Sequence, residues 1–162
     1  MGSRADAPHI DADMADHAAA HRTDDTRQLG RRDRMRRILD RDGATCVWCR
    51  RPVDHGLVEA TTEHVIPRVK GGPSWLENEV AACRRCNGRR GHRTPAEWAD
   101  ECAGNGWSPD RLRLVATLEA LQERIALEGG QRRARPYLAS QLRRLRRAAG
   151  VDRSVGTGRH RH

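Results

Sequence analysis

Four of the five cysteines form two Cys-x-x-Cys pairs, Cys46-Val-Trp-Cys49 and Cys83-Arg-Arg-Cys86, with 33 residues between them. Two residues between thiolates let both sulfurs reach one metal ion from a tight turn, and two such turns complete a tetrahedral zinc site. Disulfides or a redox-active pair are the alternatives, but a redox pair explains only one of the two motifs. Because four thiolates leave no open position on the metal, we expect this zinc ion to be structural.

A second group of reactive residues lies between the two cysteine pairs. Glu63 and His64 are adjacent in the segment 61–68, whose branched residues predict a short strand ended by Pro67. A glutamate is an oxygen ligand suited to Mg²⁺, and a neutral imidazole, with an ordinary pKa of about 6.5, can accept a proton from water. Neighbours in a regular strand point to opposite faces, so these two side chains share one site only at a twisted strand end, or if one works from each side of a phosphate.

These features occur in an order that is typical of one nuclease family. Cys-x-x-Cys is followed by Glu-His-x-x-Pro-Arg-x-x-Gly-Gly, then by Asn78, and then by Cys-x-x-Cys-Asn. The pattern closely resembles the HNH endonucleases, in the subgroup of the ββα-metal (His-Me finger) nucleases with two zinc knuckles, and it covers residues 44–98. The resemblance implies an α+β fold, in which a zinc-stapled β-hairpin presents Glu63 and His64 opposite a helix that begins near Arg84.

The resemblance also implies a role for each matching residue. His64 corresponds to the general base, and Glu63 to a ligand of a catalytic cation, where relatives often carry Asp. Asn78 corresponds to the middle Asn, which braces the loop and orients the base. Asn87 corresponds to the second ligand of the cation, where many relatives carry His; His92, five residues further along, is the alternative.

A carboxylate and an amide oxygen favour Mg²⁺ or Mn²⁺ over Ni²⁺ or Zn²⁺. Arg90 falls where relatives often carry a Lys near the phosphate, so it is a candidate for stabilising transition-state charge; the alternative is a phosphate-positioning or solvated side chain.

The resemblance thus implies one-metal hydrolysis of DNA that leaves 5′-phosphate and 3′-hydroxyl ends. An RNA substrate stays open, and a non-catalytic zinc module that binds nucleic acid or a protein is the alternative of a different class.

Helices are predicted on both sides of these motifs from their start and stop signals. They are residues 31–42, ended by Gly43; a helix opened by the capping box of residues 94–97 and ended near Gly104; a helix from Ser108-Pro109 to Gly129-Gly130; and a helix after Pro136. Turns are predicted at Asp54/Gly56 and at Gly71-Gly72-Pro73. Cys102, Trp48 and Trp98 are expected in the core, and His55 and His92 in solvent.

We divide the chain into four parts on these signals. They are a disordered acidic tail at 1–30, an HNH nuclease domain with its leading basic helix at 31–105, a basic C-terminal helical hairpin at 106–150, and a flexible tail at 151–162. With 36% hydrophobic residues the chain can bury only a small core. A structural metal ion would add stability that such a core lacks.

The charge of the chain is unevenly distributed. The net charge of the 162 residues is +9, yet residues 1–30 carry three arginines against six aspartates, so the excess of basic residues lies in the remainder. That remainder is suited to a polyanion such as DNA, because each neutralised phosphate releases a counterion. No apolar run approaches the roughly 18–20 residues that a bilayer requires, and we expect a cytoplasmic protein with no membrane partner. The oligomeric state stays open.

Overall fold

The computed structural model describes residues 29–53 and 58–151. The predictions for the turn at Asp54 and Gly56, for His55, and for nearly all of the two tails therefore lie outside the described residues. Both cysteine pairs and the Glu-His motif belong to one structural unit, Arg32–His162. No helix of the described ranges combines the length and the apolar character needed to cross a membrane.

A two-stranded antiparallel sheet and five α-helices make up the regular structure of the described ranges. Strands β1 and β2 pair in a register that sets Glu63 opposite Val80 and His64 opposite Glu79. Two short 3₁₀ turns, at residues 68–70 and 76–78, lie in the connection between the strands. The elements are α1 (Arg31–Asp42), β1 (Ala60–His64), β2 (Glu79–Cys83), α2 (Arg84–Arg90), α3 (Pro95–Gly104), α4 (Arg111–Glu128) and α5 (Ala134–Ala149).

The unit of β1, β2 and α2 confirms the expected α+β class. Helix α2 follows β2 without a loop, because Cys83 is both the last residue of the strand and the N-cap of the helix. The helix packs against both strands. It also includes Gly88, although the local Asn87-Gly88 pair on its own favours a turn.

Most helix ends lie where local signals placed them. Gly43 follows α1 with a φ of +79°, a conformation that glycine adopts without strain. The capping box is confirmed, since Thr94 Oγ1 accepts the N–H of Glu97 and the Glu97 carboxylate accepts the N–H of Thr94, both at 3.2 Å. Gly129 ends α4 as predicted.

Three boundaries differ from the prediction. Helix α4 begins at Arg111 rather than at Pro109, because Asp110 caps it by accepting the N–H of Arg113 at 3.0 Å. Helix α5 begins before Pro136, which is tolerated because N–H groups of the first turn have no partner within the helix. Strand β1 ends at His64, three residues before Pro67, because the Asn78 side chain replaces the strand partner at Ile66.

The core continues from the sheet into the C-terminal helices. Trp48 and Trp98 are buried in it, as expected, together with Cys102. Helices α4 and α5 pack on each other through buried leucines, and α4 also contacts the 3₁₀ turn at residues 76–78. The loop that follows the Glu-His motif is thereby supported by elements far away in the sequence.

Gly72 has no room for a side chain in the connection between the strands. A Cβ atom there would lie 1.9 Å from the carbonyl oxygen of Ile66 and 2.9 Å from Nδ2 of Asn78. Both neighbours are held by hydrogen bonds to each other, so neither can move without breaking them.

We expect Gly72→Ala to lower the free energy of unfolding of the zinc-loaded protein by about 1–3 kcal/mol or more, because it overpacks the loop. The matched control is Gly88→Ala in α2, where a Cβ meets nothing within 4 Å. The control is expected to raise the free energy of unfolding by roughly 0.5–1 kcal/mol through better helix propensity. Urea unfolding measures both variants, and equal stabilities would contradict the steric argument.

Candidate active site and zinc site

The sulfur atoms of Cys46, Cys49, Cys83 and Cys86 all lie within 4.8 Å of one another. The Sγ atoms of Cys49 and Cys83 are 3.9 Å apart. Tetrahedral zinc with bonds of about 2.3 Å requires sulfurs about 3.8 Å apart, so the cluster fits a zinc ion. No other group of three or more acidic, histidine or cysteine ligand atoms in the described ranges is this close together.

The cluster joins two parts of the chain that are distant in sequence. Cys46 and Cys49 flank a turn, and the N–H of Val47 in that turn donates to the carbonyl of Ala81 in β2 at 3.0 Å. Cys83 and Cys86 lie at the junction of β2 and α2. A zinc ion at the cluster therefore fixes the turn, the sheet and the helix relative to one another.

Cys102 lies outside the cluster. It is fully buried in α3, and burial raises the pKa of its thiol to about 12. A thiol with such a pKa carries no thiolate near neutral pH, which agrees with the expected packing role.

Glu63 is buried against α2. Its side chain is 6% exposed, and Oε1 pairs with Nη1 of Arg90. Its second oxygen, Oε2, is buried and has no hydrogen-bond partner among the described residues. Burial raises the pKa of the Glu63 carboxyl to about 7, although the Arg90 guanidinium beside it acts in the opposite direction.

Arg90 is fixed in the interior, which differs from the solvated alternative that the sequence left open. The side chain is 1% exposed. Besides pairing with Glu63, its guanidinium donates to the carbonyl oxygens of His64 at 2.9 Å, Val65 at 2.7 Å and Arg93 at 3.2 Å, and it lies 5.2 Å from the Trp48 ring centroid. A solvated arginine would lack these partners, and one that reaches a phosphate would have to leave them. Arg90 thus joins α2 to the end of β1.

His64 lies on the opposite face of β1 from Glu63. Its Nε2 atom is 3.3 Å from Ser74 Oγ, 3.3 Å from Glu79 Oε1 and 3.5 Å from Arg68 Nε. Burial, followed by the nearby Arg68, Arg34 and Arg90, lowers the pKa of His64 to about 4. The imidazole is therefore neutral at pH 7.

Asn78 ties together the loop that follows His64. Its Oδ1 accepts the N–H of Ile66 at 2.8 Å, while Nδ2 donates to the carbonyls of Ile66 at 3.0 Å and Pro73 at 2.8 Å. The backbone carbonyl of Asn78 accepts the N–H of Val65 at 2.8 Å. These four bonds close the loop over residues 66–73.

Asn87 lies on the same face of β1 as Glu63. Its Nδ2 donates to Thr61 Oγ1 at 3.0 Å and to the Thr62 carbonyl at 3.3 Å. Thr61 and Glu63 alternate along the strand and share its α2-facing side. The structure thus brings Glu63 and Asn87 to one face, while the His64 side chain points to the other. His92 is exposed beyond the end of α2.

Two charged residues of the site escaped the motif analysis. Glu79 is 1% exposed and contacts His64, and Arg34 of α1 pairs with it at 2.8 Å. The available signal was an acidic residue at the start of the segment 79–83, whose other residues are all apolar. Such an acid needs a buried partner.

Comparison with protein families matches residues 46–102 to the model of a family described as HNH endonuclease. Residues 46–102 belong to the HNH endonuclease family. The CRISPR-associated endonuclease Cas9 of Corynebacterium diphtheriae is 32% identical over 71 residues, which cover 43% of this chain and 6% of that protein. The chain thus spans a small fraction of this relative. No solved structure matches the chain significantly.

The zinc site of the HNH domain predicts a strong dependence of folding on the cysteines. We expect Cys83→Ser to lose zinc and to unfold the domain, because the apparent binding free energy of such sites, about 10–16 kcal/mol, is as large as the stability of a whole domain. Metal analysis and far-UV circular dichroism measure the two effects. The control is Cys102→Ser, which leaves the cluster intact; a folded, zinc-loaded Cys83→Ser protein would contradict the assignment.

The buried ion pair predicts a stability effect for Arg90. We expect Arg90→Met to lower the free energy of unfolding by about 3–5 kcal/mol, because it leaves the Glu63 carboxylate buried without a partner. The double variant Arg90→Met/Glu63→Gln should recover part of that loss, since the unpaired charge is gone. Urea unfolding of the zinc-loaded proteins measures the free energy of unfolding of the wild-type protein and of both variants. If the free energy of unfolding of Arg90→Met equals that of the wild-type protein, the buried ion pair is not important for stability. Arg90 would then again be interpreted as a solvated residue directed toward a phosphate.

Proposed function

We propose that this protein is a metal-dependent endonuclease that hydrolyses phosphodiester bonds of DNA. The observation that carries the proposal is the position of the His64 imidazole at the end of β1, beside Arg68 and Ser74 and within a β-β-α unit that also holds Glu63 and Asn87. The family match of residues 46–102 supports a nuclease, and the basic charge of the chain supports a polyanionic substrate.

Glu63 and Asn87 are the residues that would hold the catalytic Mg²⁺ or Mn²⁺. Glu63 Oε2 has no hydrogen-bond partner among the described residues, which suits a ligand atom. Asn87 uses its Nδ2 for Thr61 and Thr62, so its Oδ1 is the atom that remains for a cation. A bound divalent cation would neutralise charge on the phosphodiester.

His64 is the proposed general base. It accepts a proton from a water molecule placed in line with the scissile bond, and the water oxygen bonds to phosphorus as the bond from phosphorus to the 3′ oxygen breaks. The 3′ oxygen takes up a proton from solvent, which gives 5′-phosphate and 3′-hydroxyl ends. A pKa of about 4 makes the free imidazole a weak base, but the negative charge of a bound phosphodiester raises it again. Asn78 contributes indirectly, because it holds the loop that carries Arg68 and Ser74 beside His64.

The proposed partner surface includes the exposed side of α5. Arg143 and Arg147 are exposed there, and Arg132 is exposed in the turn before the helix; none of the three forms an ion pair with an acid of the described residues. By contrast, Arg144 and Arg146 pair with Glu97 and Glu119. Arginines without acidic partners can neutralise phosphates and release counterions.

The test is nicking of supercoiled plasmid by the full-length, zinc-loaded protein with Mg²⁺ or Mn²⁺. We expect nicks that DNA ligase reseals, since ligase requires a 5′-phosphate beside a 3′-hydroxyl. His64→Ala should lower the rate by about 10²–10⁴-fold, the usual contribution of a general base, while zinc content and circular dichroism persist.

The matched control for this test is His92→Ala, which removes an exposed histidine outside the site and should leave nicking unchanged. Full activity of His64→Ala would remove His64 as the base. If the protein binds plasmid but does not nick it with any divalent metal ion, the result would favour a non-catalytic zinc module. RNA offered in parallel tests the substrate class.

A further inference from the structure

Trp107 is a half-buried aromatic side chain just after α3, and the backbone fixes its position. The N–H of Trp107 donates to the carbonyl of Cys102 at 2.9 Å, and the N–H of Gly106, whose φ is +76°, donates to the carbonyl of Ala103 at 3.0 Å. These two bonds form a Schellman motif, which satisfies carbonyl groups of the last helical turn. The ring meets that of the buried Trp98 edge to face, with centroids 6.2 Å apart. Trp107 is therefore held by both its backbone and its ring.

Two arginines of α2 lie over the Trp107 ring. The guanidinium carbon of Arg85 is 4.6 Å from the ring centroid, and that of Arg89 is 6.0 Å from it. Both side chains are exposed, and residues four apart in a helix share one face. A guanidinium attracted to an aromatic face is restricted in orientation before any ligand arrives. One ring thus places two cations together on the surface.

Arg85 and Arg89 differ from the other arginines that lie over tryptophans. Neither forms an ion pair with an acid of the described residues, although Arg85 also lies beside the Cys86 sulfur. The interaction with Trp107 therefore orients these two cations without neutralising them. The other arginines over tryptophans each pair with an acid: Arg90 with Glu63, Arg93 with Glu101, and Arg124 with Glu77 and Glu128.

A cleft of about 450 Å³ opens beside these side chains. It is positively charged, because Arg89 and Arg93 line it with a single acid, Glu101, which pairs with Arg93 at 2.7 Å. Such a cleft suits an anion that Arg89 can reach from one side. The lining residues are Arg89, Arg93, Trp98, Glu101, Asn105 and Trp107.

We propose that Arg85 and Arg89 bind a phosphate group of a nucleic-acid backbone, and that Trp107 is the residue that positions them. Guanidinium groups bind phosphate oxygens through charge-assisted hydrogen bonds, and such backbone contacts carry no direct sequence information. That the phosphate belongs to a nucleic acid rests on the proposed function. Trp107 lies beyond the family-matched residues 46–102, so a segment outside the match contributes to binding.

This phosphate subsite lies on the other side of α2 from the proposed metal ligands. Asn87 donates to Thr61 and Thr62 of β1, whereas Arg85 and Arg89 approach Trp107. Each arginine is two residues from Asn87, which corresponds to a rotation of about 200° around the helix. The phosphate bound there is therefore not the scissile one, and the subsite contributes affinity rather than chemistry.

The first arm of the test is binding of a short, fluorescently labelled DNA duplex to the full-length, zinc-loaded protein without added Mg²⁺ or Mn²⁺. Fluorescence anisotropy at several salt concentrations gives the affinity and its salt dependence. We expect Arg89→Gln to weaken binding about tenfold or more, because it removes a charged hydrogen-bond donor. It should also make the slope of log K against log salt shallower by about 0.9, the value for one phosphate contact.

The matched control for Arg89→Gln is Arg84→Gln. Arg84 is an exposed arginine of the same helix, 4.0 Å from Glu59, and it does not lie over Trp107. It should change the affinity less than about threefold, since loss of one exposed charge outside a phosphate contact has a small effect. Equal losses in the two variants, or no loss in Arg89→Gln, would overturn the subsite.

The second arm tests Trp107 with variants that leave the net charge unchanged. We expect Trp107→Leu to weaken DNA binding about threefold or more, because the cation–π contacts are lost, and Trp107→Phe to retain most of the affinity. Zinc content and circular dichroism establish that each variant is folded. Undiminished affinity of folded Trp107→Leu would overturn the positioning role. If that variant does not fold, the indole ¹H–¹⁵N signal of Trp107, assigned through Trp107→Phe, decides instead: it should shift when DNA binds the wild-type protein, and an unmoved signal would overturn the role.

The third arm separates a nucleic-acid phosphate from a free one. Inorganic phosphate, exchanged for chloride at constant ionic strength, should displace the duplex no better than sulfate does. Displacement by phosphate alone would assign Arg85 and Arg89 to a free phosphate and overturn the nucleic-acid ligand. Because no catalytic metal is added, these results are independent of cleavage. A protein that binds DNA in this way but does not nick plasmid would remove the proposed hydrolysis and leave the subsite standing.

Discussion

The shared four-sulfur site is the constraint on which the rest of the structure depends. Two five-residue strands form a sheet that is marginal in water on its own, and a chain with 36% hydrophobic residues and no phenylalanine has a small core to support it. The cluster joins the turn at residues 46–49 to the junction of β2 and α2. Once that junction is fixed, the register of the sheet and the approach of α2 to β1 follow, and with them the positions of Asn87 and Arg90.

The alternation of side chains along β1 explains the charge pattern of the site. Glu63 and His64 face opposite sides, and each side meets an arginine from a different helix. Arg90 of α2 neutralises Glu63, and Arg34 of α1 neutralises the Glu79 carboxylate beside His64. Each acid is buried, so each pair combines a desolvation cost with a strong local interaction. The two buried pairs therefore fix the positions of their side chains more than they raise the free energy of unfolding.

The fold was predictable from the sequence wherever the signal was local. Gly43, the capping box at residues 94–97 and the two Cys-x-x-Cys pairs each determine a backbone feature within a few residues. The burial of Arg90 and Glu79 was not predictable in this way. Their partners lie 27 and 45 residues away, and only the packing of α2 and α1 on the sheet brings the charges together. The loop braced by Asn78 was placed through the family resemblance rather than through periodicity.

The electrostatics of the His64 side bear on the proposal of a phosphodiester substrate. Burial, followed by Arg68 and Arg34, lowers the pKa of His64, while Glu79, the acid that lies 3.3 Å from the ring, is already paired with Arg34. The surroundings of the free imidazole are therefore short of negative charge. A phosphate placed there supplies that charge, which satisfies Arg68 and at the same time raises the proton affinity of the base. In the proposed mechanism, substrate binding and activation of the base are therefore the same electrostatic event.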